Sequence, residues 1–399
     1  MSRYPGATGA RLPRWLLPDN WPRVDHQPQL ATLHFHDDGL QFEPASAEVP
    51  AGYLALNGAL VLPALIEPHA HLDKTFTIQR SPAQQPGLLA AIAAMHQDRV
   101  HWNAEDIRQR ATQALHWAVE SGVGLLRTHI DWFSTDAPLA WQVVGELHHP
   151  LCSIERVALA PLTFFNNSHD AQHIAAQVAG SGPKALLGGF IHSSNWDAQA
   201  FQHLLEAAER WQLDIDLHID EELNVAAQGL RWLAHYLQQH AFSGQITCSH
   251  SCALSQMNDA EQILDVLAQH NVTLIALPLT NLLLQDAVPG RTPRQRGLTL
   301  VKEAQARGIP LLLGADNVQD AFCPFGSYDP LDTLFSGLLS LQLDAAFDDA
   351  SALICQRSAL QACDLVVFPA ADVASWPLRQ RQRYRLKKGV FYGEATNGA

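Results

Sequence analysis

Two histidines with one residue between them, His69 and His71, close the apolar run that ends Leu65-Ile66-Glu67-Pro68-His69-Ala70-His71. Alternate side chains of an extended strand share a face, so residues i and i+2 can aim two imidazoles at one metal ion. A single histidine there has a plainer use in packing or capping; the pair favours ligation. A second run ends Asp216-Leu217-His218-Ile219-Asp220-Glu221, adding a third imidazole and, just past it, a carboxylate free to move protons. Asp220, Glu221 and Glu222 can equally serve as the acidic first turn of a following helix, where they complement its dipole. Cys248-Ser249-His250 ends another run, and Leu311-Leu312-Leu313-Gly314-Ala315 leads into Asp316-Asn317, where an N-cap role competes with a role in a site. Together these strand ends supply neutral nitrogen ligands and one hard carboxylate. That set suits one divalent ion, Zn²⁺ or Fe²⁺, with a position open for water that loses a proton near neutral pH.

Such groups must be held by regular elements. From about Leu60 onward the chain repeats a short apolar run, a loop and a longer segment of helical periodicity, the rhythm of parallel strands joined by helices. The runs are Leu60 to Ile66, Gly124 to Thr128, Val157 to Pro161, Ala185 to Ile191, Leu213 to Leu217, Gln245 to Ser249, Val272 to Leu277 and Ile309 to Gly314. Helices are expected over Ala104 to Ser121, Ala198 to Trp211, Glu222 to His240, Asp259 to His270 and Thr299 to Arg307. Eight units predict an α/β fold, a (β/α)₈ TIM-type barrel with its site at the C-terminal ends of the strands. A doubly wound open sheet fits the alternation too, but it would normally carry a glycine-rich phosphate loop after an early strand, and none is present. The flanks, Leu30 to Val49 and Asp364 to Tyr392, alternate over short runs and read as a small β-sandwich domain built from both termini. The expected division is residues 1–57, a barrel over 58–350, and 351–399.

Composition narrows the partners. A formal charge of -14 argues against a grip on nucleic acid or anionic lipid, which demand Lys/Arg surfaces. Six cysteines without regular spacing read as reduced thiols of a cytoplasmic protein. Cys248 and Cys252 lie four apart, but no second pair follows and the core is their expected place. No apolar stretch approaches the ~20 residues of a membrane span, and prolines and charges interrupt the N-terminal segment where a secretory signal would be apolar. The expected partner is a small molecule, and a homo-oligomer is compatible with the sequence.

The constellation resembles the amidohydrolase superfamily, and Leu65 to Thr75 is similar to the strand-one segment of its cytosine deaminase branch. The resemblance continues through Leu126 to Asp131, Asp216 to Glu221, Cys248 to His250, Leu277 to Asn281, and Gly314 to Asn317 with Pro324-Phe325-Gly326, so it spans nearly the whole chain in order. It implies that His69, His71, His218 and Asp316 bind one metal, without a bridging carbamylated lysine, since the fourth run ends Gly189-Phe190-Ile191-His192. It implies that Asp316 takes a proton from water, that His250 orients the hydroxide or polarises the reacting centre, and that Glu221 shuttles protons to a ring nitrogen and then to the leaving amine. The implied reaction is hydrolytic deamination of a small nitrogen heterocycle, with cytosine or a C5-substituted cytosine such as 5-methylcytosine in front.

Three positions depart from that branch. Leu162 stands where its glutamine reads the amide edge of the base, Asn317 replaces the second aspartate of the strand-eight pair, and Phe322 replaces a tryptophan that flanks the base. A more apolar pocket suits a methylated ring or an N-substituted aminotriazine. Lys74 could contact a substrate carbonyl or close a salt bridge, and His129 and Asp131 are expected to orient neighbours. The alternatives are hydrolysis of another exocyclic or ring C–N bond and a catalytically silent binding protein. The silent reading leaves Glu221 and His250 without a purpose.

Overall fold

The computed structural model describes residues 3–46, 48–343, 347–369 and 382–392. Eight parallel strands follow one another around a barrel: β1 (Leu65–Ala70), β2 (Val123–Asp131), β3 (Ser153–Pro161), β4 (Ala185–Ile191), β5 (Ile215–Ile219), β6 (Ile246–His250), β7 (Val272–Ala276) and β8 (Leu311–Leu313). Each pairs in parallel with the next, for example Asp216 with Thr247 and His218 with Ser249 between β5 and β6, and the register shifts only between β1 and β2 among these ladders. β8 is only three residues long, and among the described residues no ladder joins it to β1, only the single parallel bridge between Ala70 and Asp316. Side chain and loop close the gap instead. The Asp316 N–H donates to His69 O at 2.8 Å, and the buried Glu67 carboxylate accepts the N–H of both His69, 3.1 Å, and Ala315, 3.0 Å. Glu67 thus links the first and last strands directly beneath the site.

Helices pack outside the barrel with their apolar faces inward. Asn103 accepts the amides of Glu105 and Asp106 to start the helix Ala104–Glu120, and Asp197 does the same for Ala198–Trp211. The expected helix from Glu222 to His240 is shorter, Gly229–Gln239. Asp220 takes a left-handed backbone (φ 51) and its carboxylate accepts the amides of Gly229 and Leu230 at 3.0 and 2.8 Å, so the helix begins there. A Cβ on Gly229 would lie 2.5 Å from that carboxylate, which makes glycine the residue the cap requires. The freed segment 221–228 contributes to the mouth of the barrel instead.

The run Leu60 to Ile66 is two strands. Leu60–Pro63 pairs antiparallel with Asp364–Phe368, while β1 starts at Leu65. The change of partners falls at Ala64, whose N–H bonds Asp364 O while the Leu65 N–H bonds Gly122 O. The expected boundary after residue 57 is therefore displaced to Ala64. Past the boundary expected at 351, Leu353, Ile354 and Cys355 are buried in the same core cluster as the barrel strands. Residues 370–381 and 393–399 of the expected C-terminal part lie outside the described residues.

The small domain is a sandwich of two four-stranded sheets. One runs Gly39–Pro44, Ala31–His36, Gly6–Ala10, Leu54–Ala55; the other runs Val390–Tyr392, Tyr384–Lys387, Asp364–Phe368, Leu60–Pro63. Leu33, Leu56, Val61, Leu365, Val367 and Leu386 fill the space between them. Gly6–Ala10, Gly-Ala-Thr-Gly-Ala, offered no alternation of large apolar residues to announce it.

Candidate active site

The C-terminal ends of β1, β5, β6 and the turn after β8 bring six of the sequence-expected residues to one place. His69 and His71 reach it by strand alternation, as does His218 from β5, with Asp216 on the same face one layer deeper. Ser249 and His250 are adjacent yet both face the site, because His250 (φ 66) and Ser251 (φ 52) leave the extended region. Asp316 also has a left-handed backbone, φ 64. Such conformations cost about 1–3 kcal/mol each for residues other than glycine, and a packed scaffold has to hold them.

Four lone-pair atoms face one another at the centre. Nε2 of His69 and His218 are 3.1 Å apart, Nε2 of His218 and His71 3.3 Å, and Oδ1 of Asp316 lies 3.0 Å from His71 Nε2 and 3.4 Å from His69 Nε2. All four side chains are buried. Burial lowers the His69 imidazole to about 4 and holds His71 and His218 well below the usual histidine range, so all three are neutral. Burial pushes the Asp316 carboxyl up, but the facing His69 and His71 outweigh it and keep it an anion. With each imidazole in the tautomer that leaves its lone pair on Nε2, three nitrogens and a carboxylate at these separations repel unless a cation lies between them. Tetrahedral ligands at roughly 2.0–2.1 Å from zinc are themselves roughly 3.3 Å apart, so the spacing fits one ion. Neither oxygen of Asp316 has a hydrogen-bond partner among the described residues, which agrees with that fit. Nitrogen and oxygen atoms of His69, His218, His250 and Asp316 also lie within 4.8 Å of one another, which places His250 beside the same centre.

A buried layer orients these ligands. His69 Nδ1 donates to Ser249 Oγ, 2.9 Å, which donates to Asp216 Oδ1, 3.1 Å; His129 Nε2 lies 3.2 Å from that same oxygen, and Arg127 anchors Oδ2 at 2.9 Å. With Nδ1 carrying the hydrogen, His69 presents its Nε2 lone pair to the centre. On the other side, His250 Nδ1 donates to Asn281 Oδ1 at 3.0 Å and lies 3.4 Å from Glu221 Oε1, leaving Nε2 without a hydrogen-bond partner among the described residues. Burial raises the Glu221 carboxyl to about 7, against the pull of His250. A carboxyl held there exchanges protons readily near neutral pH.

Above the centre opens a cavity of about 310 Å³. Leu88, Ile92 and Met95 of the helix Leu88–Asp98 form one wall, and Trp132, Phe133, Phe190 and Phe322 supply flat faces. His71, His218, Glu221, His250 and Asp316 form the polar floor. Asn317 and Phe322 line the cavity as expected from the sequence; Leu162 does not. Alternation along β3 turns Leu159 and Pro161 inward, and Leu162 opens the tight turn Leu162–Phe165, fully buried in the layer between barrel and helices. Ser249, Asp216 and Asn281 were given no role from the sequence. The position of Asp216 two residues before His218 was the available signal for one of them; Asn281 gave none.

The sequence profile described as the Amidohydrolase family matches residues 168–361. Over 355 residues the chain is 31% identical to a pterin deaminase of Rhizobium rhizogenes, covering 84% of this chain and 80% of that protein. It is 26% identical over 282 residues to an N-isopropylammelide isopropyl amidohydrolase of Pseudomonas sp., covering 68% of this chain and 66% of the other. Its fold is similar to that of 5-methylcytosine deaminase from Klebsiella pneumoniae liganded with 5-fluorocytosine, with a TM-score of 0.80, 22% identity, and coverage of 99% and 98% of the two chains. The chain belongs to the amidohydrolase superfamily. No helix among the described residues is long and apolar enough to cross a membrane.

Proposed function

We propose that this protein is a metal-dependent deaminase that hydrolyses the exocyclic C–N bond of a small amino-oxo heterocycle, with a pterin as the leading substrate. The observation that carries the reading is the placement of Glu221 and His250 against the His69, His71, His218 and Asp316 cluster, on the floor of an apolar, aromatic cavity. His69, His71, His218 and Asp316 would hold one divalent ion, Zn²⁺ or Fe²⁺. Such an ion supplies Lewis acidity that activates water near neutral pH. Asp316 then accepts a proton from water, and His250, fixed through Nδ1 by Asn281, offers Nε2 to orient it. Glu221 protonates a ring nitrogen next to the amino-bearing carbon, which makes that carbon electrophilic. Water oxygen bonds to the carbon, the C–N bond to the amine breaks, the proton gathered by Asp316 leaves with ammonia, and the remaining hydroxyl proton returns to Glu221 as the ring carbonyl forms.

A cavity of about 310 Å³ lies at the small end of the roughly 300–1,000 Å³ typical of small-molecule sites, which fits a one- or two-ring heterocycle and not a polymer. The 31% relative named for pterin supports the fused ring. The sequence resemblance supports cytosine or 5-methylcytosine as the second reading, in the same chemistry.

The test is ammonia release by the zinc- or iron-loaded enzyme from pterin, cytosine, 5-methylcytosine and an N-isopropyl aminotriazine in parallel. Highest kcat/KM on pterin is the expected result; a lead for the pyrimidines favours the second reading. Release of isopropylamine alone, with no ammonia from any ring, overturns both.

A further inference from the structure

An oxo-pyrimidine ring carries a lactam edge, a C=O beside an N–H, and discriminating it takes a donor and an acceptor side by side in a cavity wall. The position where an amide reader was sought, Leu162, is walled off in the core. The cavity has another such pair. Lys74 Nζ and Asp131 Oδ2 are 2.6 Å apart, their side chains are 5% and 11% exposed, and both line the cavity that holds the candidate site.

The pair is held from behind and open in front. The Asp131 N–H donates to Asp73 Oδ2 at 2.9 Å, and Arg110 clamps the loop by donating to the carbonyls of Asp73 and Thr75 at 2.8 and 2.9 Å. Lys74 Nζ sits 5.0 Å from the Phe322 ring centroid, another lining residue. The ammonium has three N–H groups and Asp131 takes one. No hydrogen bond reaches Asp131 Oδ1 among the described residues. A buried ion pair with spare capacity on both members, set in a largely apolar cavity wall, is costly as a structural device alone. A flat ring that offers an acceptor to Lys74 and a donor to Asp131 completes it.

We propose that Lys74 and Asp131 are the specificity pair of this site. Lys74 donates to the ring carbonyl oxygen, and Asp131 accepts from the neighbouring ring N–H. Together with the fused-ring reading above, this makes the substrate class a 2-amino-4-oxo ring, in which the lactam adjoins the amino-bearing carbon. This rests on the deaminase reading and deepens it.

The experiment compares pterin with 2-aminopteridine, which lacks the 4-oxo group, on metal-loaded wild type, Lys74→Met and Asp131→Asn. Steady-state kinetics gives one arm. Equilibrium binding of both rings, followed by their fluorescence with Glu221→Gln as the parent, gives a second arm that needs no turnover. Metal content and circular dichroism establish that each variant is folded. Wild type is expected to prefer pterin by on the order of 10²-fold or more, since a site built around a polar group rejects the analogue lacking it. In Lys74→Met that preference collapses to within a few-fold, through loss on pterin alone; Asp131→Asn reduces it while leaving Lys74 in place. Equal losses on both rings, or an unchanged preference in both variants, overturn the proposal. If no ring releases ammonia, the deaminase reading fails, and the binding arm still decides whether the pair reads the carbonyl. Should Lys74→Met not fold, Asp131→Asn alone decides by the same ratio.

Discussion

His71 Nε2 lies 3.0 Å from Asp316 Oδ1, with burial keeping the imidazole neutral and the facing histidines keeping the carboxyl ionised. Hydrogen bonding alone cannot satisfy that contact together with the Nε2 pairs of His69, His71 and His218. Removing a bound ion should therefore lower the melting temperature, and restoring it should reverse the change. At a free metal concentration of 100 times Kd the gain is about 2.7 kcal/mol. Calorimetry on chelated and Zn²⁺-reloaded protein measures it. A melting temperature indifferent to both treatments contradicts a metal at this centre.

Ser249 transmits the position of Asp216 to His69 through bonds of 2.9 and 3.1 Å. Ser249→Ala removes the acceptor that keeps hydrogen on His69 Nδ1 and leaves that nitrogen buried without a partner. Metal affinity should fall about 10–100-fold with little change in secondary structure, the usual effect of losing an orienting partner. Competition against a chromogenic chelator reads the affinity. An unchanged affinity would mean that packing alone orients the ring.

Glu221→Gln keeps the size of the side chain and removes its proton exchange. Turnover should drop by about 10²–10⁴-fold, the share general acid–base catalysis supplies, while metal content and ring binding are retained. Single-turnover ammonia release beside a binding titration separates the two effects. Full turnover in this variant would transfer proton delivery to another group, with Asp316 the nearest candidate.

The parts of this site that were legible from sequence are those governed by strand alternation and strand ends. His69, His71 and His218 announce themselves because an apolar run stops at a residue that has no reason to be apolar. Leu162 does not reach the cavity because alternation that turns Leu159 and Pro161 inward turns the next side chain outward; the resemblance, not the strand pattern, pointed to it. The helix after β5 begins later than its sequence suggests, because three acidic residues look like a first turn whereas Asp220 reaches forward to cap Gly229. The Lys74–Asp131 pair joins residues 57 apart in sequence, and the pairing of β1 with β2 brings them together. Its two members carry no mutual signal in a single sequence. Closure of the barrel depends on the contact of Glu67 with Ala315, across 248 residues, and carries no signal for the same reason.

Asp320 gives a pH test of the loop behind the cavity. Its buried carboxylate accepts Asn317 Nδ2 at 2.7 Å and the amides of Phe322 and Cys323 at 2.9 and 3.1 Å, and burial nevertheless raises its pKa to about 6. An aspartate in the unfolded chain titrates near about 3.9. Between those values the folded state holds a proton that the unfolded state has released, so this group lowers stability as pH rises through the window. Two pKa units correspond to about 3 kcal/mol. Asp320→Asn cannot ionise and keeps one oxygen for the backbone amides. The stability of this variant relative to wild type should therefore rise by up to about 3 kcal/mol from about pH 4 to about pH 7, with the change complete once pH exceeds about 6. Urea unfolding of both proteins across that range measures the difference. A relative stability that is flat, or that falls with pH, would show that the hydrogen bonds from Asn317, Phe322 and Cys323 outweigh the burial of the charge.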